Sequence, residues 1–238
     1  MTVHVINLDR ETERITKFLT LNAHVPDVVR VSAVDGASID RKALCDLGII
    51  SADLAYDDPN VGCALSHIKL WRKCVSDNRV ITIAEDDAVF ARNFPAAHDR
   101  LLSGMPEDWG VMLWGWNFDG QMAAEILEGV ASSIIRVDQN ALRGNIDIFR
   151  QLEIATQPFR LHRAFGLMGY SVSPGGARVL LETCLPLINV DIPLDDNGNT
   201  VSNVSIDCIT NAAYRLMKSY ICIPPLAVSE NWKRGERV

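Results

Sequence analysis

Three consecutive carboxylates, Glu85-Asp86-Asp87, carry the densest chemistry in the sequence. They follow Arg79-Val80-Ile81-Thr82-Ile83-Ala84, a β-branched apolar run that predicts a buried strand. Adjacent acids repel one another unless solvent or a cation relieves them. In an extended segment residues 85 and 87 point the same way. Glu85 and Asp87 could therefore hold a hard divalent ion, Mg2+ or Mn2+, through oxygen. A solvated acidic turn with a helix cap fits the same triplet.

Two further groups could meet a phosphorylated ligand. Arg10 and Arg14 are spaced one helical turn apart just past the first apolar run, which predicts two guanidinium groups on one face, suited to a diphosphate or a nucleobase edge. An ordinary amphipathic helix fits that spacing too. Gly62-Cys63-Ala64-Leu65-Ser66-His67 is a small-residue run predicted to open a helix, where backbone N–H groups bind anions. The alternative is a tight helix entry with a structural histidine. No Walker-type phosphate loop occurs, and Gly166-Leu167-Met168-Gly169-Tyr170 lacks the dinucleotide-binding pattern. Asp191, Asp195, Asp196 and Asp207 supply later carboxylates. Asp195-Asp196-Asn197-Gly198-Asn199 reads as a solvent turn, since it lacks the EF-hand spacing.

The elements that position these groups alternate. Val3 to Leu8 reads as a strand, with Asp9 as the cap of a following helix. Val28 to Val34 reads as a second strand, and Ser38 to Leu47 as a short helix closed by Gly48. A helix over Gly62 to Val75 precedes the strand ending at Ala84. Gly110 to Trp114 and Phe165 to Val172 read as strands, and Ser173-Pro174 opens a helix. A last helix starts at Ser205-Ile206-Asp207, followed by a strand over Tyr220 to Ile223. Residues 117–162 carry no clear pattern. Strand–helix alternation predicts an α/β fold with a mostly parallel central sheet flanked by helices.

The 238 residues suit one domain, and 23 basic against 30 acidic side chains leave a net charge of −7. That balance argues against nucleic acid as a partner, which would need a basic face. No run approaches the ~20 apolar residues of a membrane span, and the N-terminus lacks the pattern of a signal peptide. Six scattered cysteines without a C-x-x-C pair read as reduced thiols and a cytoplasmic location.

In order along the chain these pieces resemble glycosyltransferase family 25, the lipopolysaccharide and procollagen galactosyltransferase-type family. The matching residues are Val5-Ile6-Asn7-Leu8-Asp9-Arg10 with Arg14, Gly62 to His67 with Trp71, and Ile83-Ala84-Glu85-Asp86-Asp87 with Phe90. They continue with Gly166 to Ser173 and Gly176-Ala177, then Ile206-Asp207 and Pro224-Pro225. The resemblance implies a single domain of GT-A, Rossmann-type fold. It also implies a nucleotide-sugar donor, usually UDP-linked, and inverting transfer of a hexose to a glycan acceptor such as lipopolysaccharide. By position, Leu8, Asp9, Arg10 and Arg14 would lie near the nucleotide and Ser66 and His67 beside the donor. Asp86 would belong to the donor site, Asp87 would bind Mn2+ or Mg2+, and Glu85 would bind the ribose or the metal shell. Ala84 replaces the bulkier aliphatic common before the triplet. No histidine follows His162, so the C-terminal histidine ligand of some GT-A enzymes is missing.

A carboxylate must take the proton of the acceptor hydroxyl. Asp207 is the candidate base and Asp191 the alternative. A metal-dependent nucleotidyltransferase and a non-catalytic nucleotide-sugar-binding relative are the competing readings. A lipid-linked acceptor would bring peripheral membrane contact.

Overall fold

A computed structural model describes residues 1–194 and 198–232. Asp195, Asp196 and Asn197, placed in a solvent turn from the sequence, lie outside the described residues. The strands are β1 Val3–Asn7, β2 Val28–Ser32, β3 Ile81–Glu85, β4 Ala88–Phe90, β5 Trp109–Leu113, β6 Met122–Leu127 and β7 Ala131–Ile135, then β8 Gln157–Arg163, β9 Gly169–Val172, β10 Asp191–Pro193, β11 Thr200–Ser202, β12 Lys218–Ile223 and β13 Ala227–Ser229. The helices are α1 Thr12–Leu21, α2 Arg41–Asp46, α3 Asp58–Asp77, α4 Phe94–Ser103, α5 Gln139–Arg143, α6 Ile146–Phe149, α7 Pro174–Cys184 and α8 Ile206–Tyr214.

Nine strands form one sheet in the order β2-β1-β3-β9-β5-β12-β8-β6-β7. Its pairings correct the expectation of a mostly parallel sheet. β1–β2, β1–β3 and β5–β12 are parallel, and the other five contacts are antiparallel. β9 runs against both of its neighbours, and the patternless stretch after Asn117 supplies the β6–β7 hairpin and β8 as an antiparallel wing. Alternation of element types says that helices cover the sheet, but strand direction depends on the end from which the chain enters.

The central strands are buried on both faces. Ile81, Ile83, Val111, Leu113, Tyr170 and Val172 are buried on one face and Thr82, Ala84, Met112 and Ser171 on the other, which matches the near-continuous apolar sequence. α3 shows why its segment is helical. The Asp57 side chain caps it by accepting the Asn60 N–H at 2.8 Å, Pro59 sits in its first turn, and Asn78 ends it in the left-handed region at φ 49°. Its buried stripe includes Val61, Ala64, Ile68, Trp71 and Cys74. Gly62 therefore lies in the second turn, not at the helix start, and its N–H is not free to bind an anion. α1 begins later than expected. Asp9 does not cap it but accepts from Arg30 and from Ser32 Oγ, the latter at 2.8 Å.

Candidate active site

The carboxyl ends of β1 and β3, with the segment after β2, enclose a cavity of about 670 Å3. Open α/β sheets bind ligands at such ends. Its lining includes Leu8, Arg10, Arg14, Asp35, Cys63, Ser66, Glu85 and Asp86. One wall depends on two glycines. A Cβ on Gly62 would stand 2.5 Å from the Val34 carbonyl oxygen, and one on Gly36 would stand 2.5 Å from that of Asp58. Only glycine lets α3 approach the chain after β2 this closely. Ser66 fastens the same contact: its Oγ accepts the Val34 N–H at 2.8 Å and donates to the Gly62 carbonyl at 2.7 Å.

The three acids diverge. Residues 86 and 87 form a turn between β3 and β4, so strand alternation stops at Glu85 and does not aim 85 and 87 together. Glu85 sits against Ile6 in the β1 register and lines the cavity. Its Oε1 lies 3.3 Å from His67 Nε2. Asp86 is held by Asn7 Nδ2 at 2.6 Å and by Arg14 Nε at 2.8 Å, with a further bond from the Arg14 terminal nitrogen. Asp87 faces the α1 side, in a narrow space with Lys17, Phe18 and Glu230. Its Oδ1 is buried with no hydrogen-bond partner. Burial, and then the charge of Glu85, push the Asp87 carboxyl up to about 6 despite Arg14 nearby.

The arginine pair also differs from a shared helix face. Arg10 precedes α1 and pairs with Asp35, whereas Arg14 lies in α1 and pairs with Asp86. Both guanidinium groups line the cavity. His67 is fully buried behind Glu85, with Nδ1 at 2.9 Å from the Tyr170 hydroxyl. It orients Glu85, whereas Ser66 reaches the cavity itself. Asp207 stands in the first turn of α8, accepting the Gly166 N–H at 2.9 Å and a bond from Ser205 Oγ. Like Asp191, it is not among the residues that line the cavity. Asp191 is exposed on β10, bonded by Ser202 Oγ at 3.1 Å, and does not line the cavity.

Sequence reasoning gave no role to Asn7, Asp35 or Tyr170. Asn7 is buried and central: it donates to Asp86, and its Oδ1 accepts from Arg30 Nε at 2.8 Å. An asparagine closing a mostly apolar strand was the available signal.

Three carboxylates against one adjacent guanidinium leave the site with excess negative charge. The buried, unpartnered Oδ1 of Asp87 suits a hard divalent cation, which takes oxygen ligands.

The family model described as glycosyltransferase family 25 (LPS biosynthesis protein) matches residues 1–197. A glycosyltransferase 25 family member of Anopheles gambiae is 35% identical over 99 residues, 37% of this chain and 17% of that protein. The human protein named inactive glycosyltransferase 25 family member 3 is 30% identical over 147 residues, 54% of this chain and 24% of that protein. Human procollagen galactosyltransferase 2 is 28% identical over 127 residues, 48% of this chain and 20% of that protein. The chain spans about a fifth of the length of these curated relatives.

Proposed function

The chain belongs to glycosyltransferase family 25, and on that premise we propose that it transfers a hexosyl group from a UDP-linked sugar to a glycan hydroxyl with inversion. A galactosyl donor and a lipopolysaccharide-type acceptor are the forms the family description and the procollagen galactosyltransferase relative favour. The observation that carries the reading is the cavity at the strand ends, in which Arg10 and Arg14 stand beside Glu85 and Asp86. Arginine forks suit a nucleoside diphosphate, and the strand ends suit its nucleoside.

In this reading Asn7 and Arg14 hold Asp86 rigid, so Asp86 shapes the donor site rather than binding metal. Asp87 would bind Mn2+ or Mg2+ together with the donor diphosphate and so neutralise charge developing as the diphosphate departs, while Glu85, on the cavity wall, would meet the ribose or a water on the ion. Asp207 is the proposed base, because its carboxylate is oriented by the Gly166 N–H and Ser205 Oγ, with Asp191 the alternative. A proton taken by Asp207 leaves the acceptor oxygen free to attack the anomeric carbon as the diphosphate departs. Free cysteines at all six positions favour a reducing, cytoplasmic setting. Among the described residues no helix is long and apolar enough to cross a membrane. A lipid-linked acceptor would bring peripheral membrane contact.

Relatives named inactive favour a second reading, a domain that binds a nucleotide sugar without transfer. The test is a melting screen of nucleotide sugars with and without Mn2+, followed by product analysis. A UDP-sugar should raise the melting point by mass action, and UDP should accumulate only with an acceptor and only before EDTA. Donor binding without UDP release would establish the second reading. Pyrophosphate from a nucleoside triphosphate would mark a nucleotidyltransferase.

A further inference from the structure

The wall of the cavity carries a second donor set that the oxygen chemistry above does not use. Cys63 and His67 are four residues apart on α3, so both project from one helix face. Glu85 ends β3 opposite them. One potential ligand atom from each of Cys63, His67 and Glu85 lies within 4.8 Å of the others, and this is the one such three-residue cluster among the described residues. We propose that Cys63, His67 and Glu85 bind a borderline transition-metal dication, with Zn2+ the best match, at a site that opens into the cavity.

Three observations support this assignment. The first is geometry. His67 Nε2 and Glu85 Oε1 are 3.3 Å apart. Two ligands about 2.0–2.1 Å from one tetrahedral zinc stand about 3.3–3.4 Å apart, so this pair is already spaced for a shared ion. The Cys63 sulfur lies within 4.8 Å of both. The second is support for the histidine. Zinc-bound imidazoles donate their other N–H to a fixed partner. Here His67 Nδ1 faces the Tyr170 oxygen at 2.9 Å, the rings stack 5.7 Å apart, and Trp71 Nε1 donates to the same oxygen at 2.8 Å. Ligation puts the imidazole proton on Nδ1, toward Tyr170, in place of the Nε2 contact with Glu85. The third is access. His67 is fully buried, yet Cys63 and Glu85 both line the open cavity. An ion can therefore reach the site from the cavity.

Thiolate and imidazole select zinc-like ions over magnesium. Glu85 belongs to both this set and the proposed donor-side set. The site stands on its own ligands, whether or not the chain transfers a sugar.

Cobalt is the probe, because a bound thiolate gives a sulfur-to-cobalt charge-transfer band that oxygen ligands do not. The full chain titrated with Co2+ should develop this band at one equivalent, and Zn2+ should abolish it. A large excess of Mg2+ should leave it in place. Cys63→Ser should remove the band, and Cys45→Ser should keep it. Glu85→Gln should keep the band but weaken Co2+ binding by tenfold or more. Tyr170→Phe should weaken binding about 10–100-fold, as loss of a supporting partner does. A wild-type chain without the band, a band that survives Cys63→Ser, or displacement by Mg2+ would overturn the assignment. Because every readout is binding, failure here is separate from failure of the transfer reaction.

Discussion

Arg14 Nε donates to Asp86 Oδ1 at 2.8 Å, joining two residues that stand 72 apart in sequence. Asn7 Nδ2 closes the other oxygen at 2.6 Å. The Asp86 side chain is only 9% exposed, so these two partners stand where water would otherwise bond its oxygens. The middle acid of the triplet is thus committed to the α1 side of the cavity. Glu85 and Asp87, on either side of it, face different surroundings.

Arg14→Ala should destabilise the fold and weaken UDP-sugar binding together. The variant leaves a largely buried carboxylate short of its charge-assisted partner, which costs roughly 1.5–3 kcal/mol. Denaturant unfolding and calorimetry with a UDP-sugar measure the two losses. Arg14→Lys should recover only part of the stability, because a point charge cannot replace the two-nitrogen contact. Unchanged stability in Arg14→Ala would mean that Asn7 alone satisfies Asp86.

Asp87 makes stability depend on pH. Its carboxyl is raised from 3.8 to about 6 in the folded chain. Between those values the folded state holds a proton that the unfolded state has lost, so stability falls as pH rises from about 4 to 6. Above that window the charged Asp87 is a net cost in the metal-free chain. Asp87→Asn should therefore be more stable at pH 7, by about 1–2 kcal/mol after allowing for a side chain that is 29% exposed, and so melt higher. The gain should vanish near pH 4. The same variant should lose Mn2+-stimulated transfer. Melting curves across pH, with EDTA present, test the first part, and a lower melting point at pH 7 would contradict it.

Gly62→Ala should cost about 1–3 kcal/mol, the usual penalty of overpacking. The new methyl meets backbone on two sides, the Val34 carbonyl at 2.5 Å and the Gly36 nitrogen at 2.9 Å, and neither can rotate away. Donor affinity should drop as α3 moves off the cavity wall. Thermal unfolding and calorimetry report both changes, and a variant with wild-type melting would show that the wall is compliant.

Asp207→Asn separates a base from a helix-terminus residue. As the base, it should retain donor affinity and lose transfer by about 10²–10⁴-fold, since an amide cannot take the proton. As a purely structural acceptor for Gly166 and Ser205, it should lose about 1 kcal/mol of stability and keep its turnover. Steady-state kinetics beside a melting curve distinguishes the outcomes, and Asp191→Asn serves as the comparison.

Several elements were legible because their signals are local. The apolar runs at Val3, Ile81 and Gly110 are strands, and Ser173-Pro174 does start α7, with Ser173 Oγ accepting the Gly176 N–H at 3.0 Å. The ordered motifs pointed to the family, since such motifs are sets of residue types at set distances. Other features were hidden for a definite reason. The acidic triplet looked like a continued strand, but the chain turns at Asp86 to start β4, which pairs with β13 from the far end of the sequence. Arg10 and Arg14 looked like neighbours on a helix, but α1 starts only at Thr12.

By itself the sequence determined which residue types stand ready for chemistry, the helix and strand character of the strongly patterned segments, and membership of the family. Tertiary structure decided strand direction and the partners of each charge. Those depend on which distant segments meet: Asp86 on Arg14 and Asn7, His67 on Tyr170, and Cys63 beside Glu85. Contacts between residues tens of positions apart are selected by packing of the whole sheet, and no local spacing encodes them.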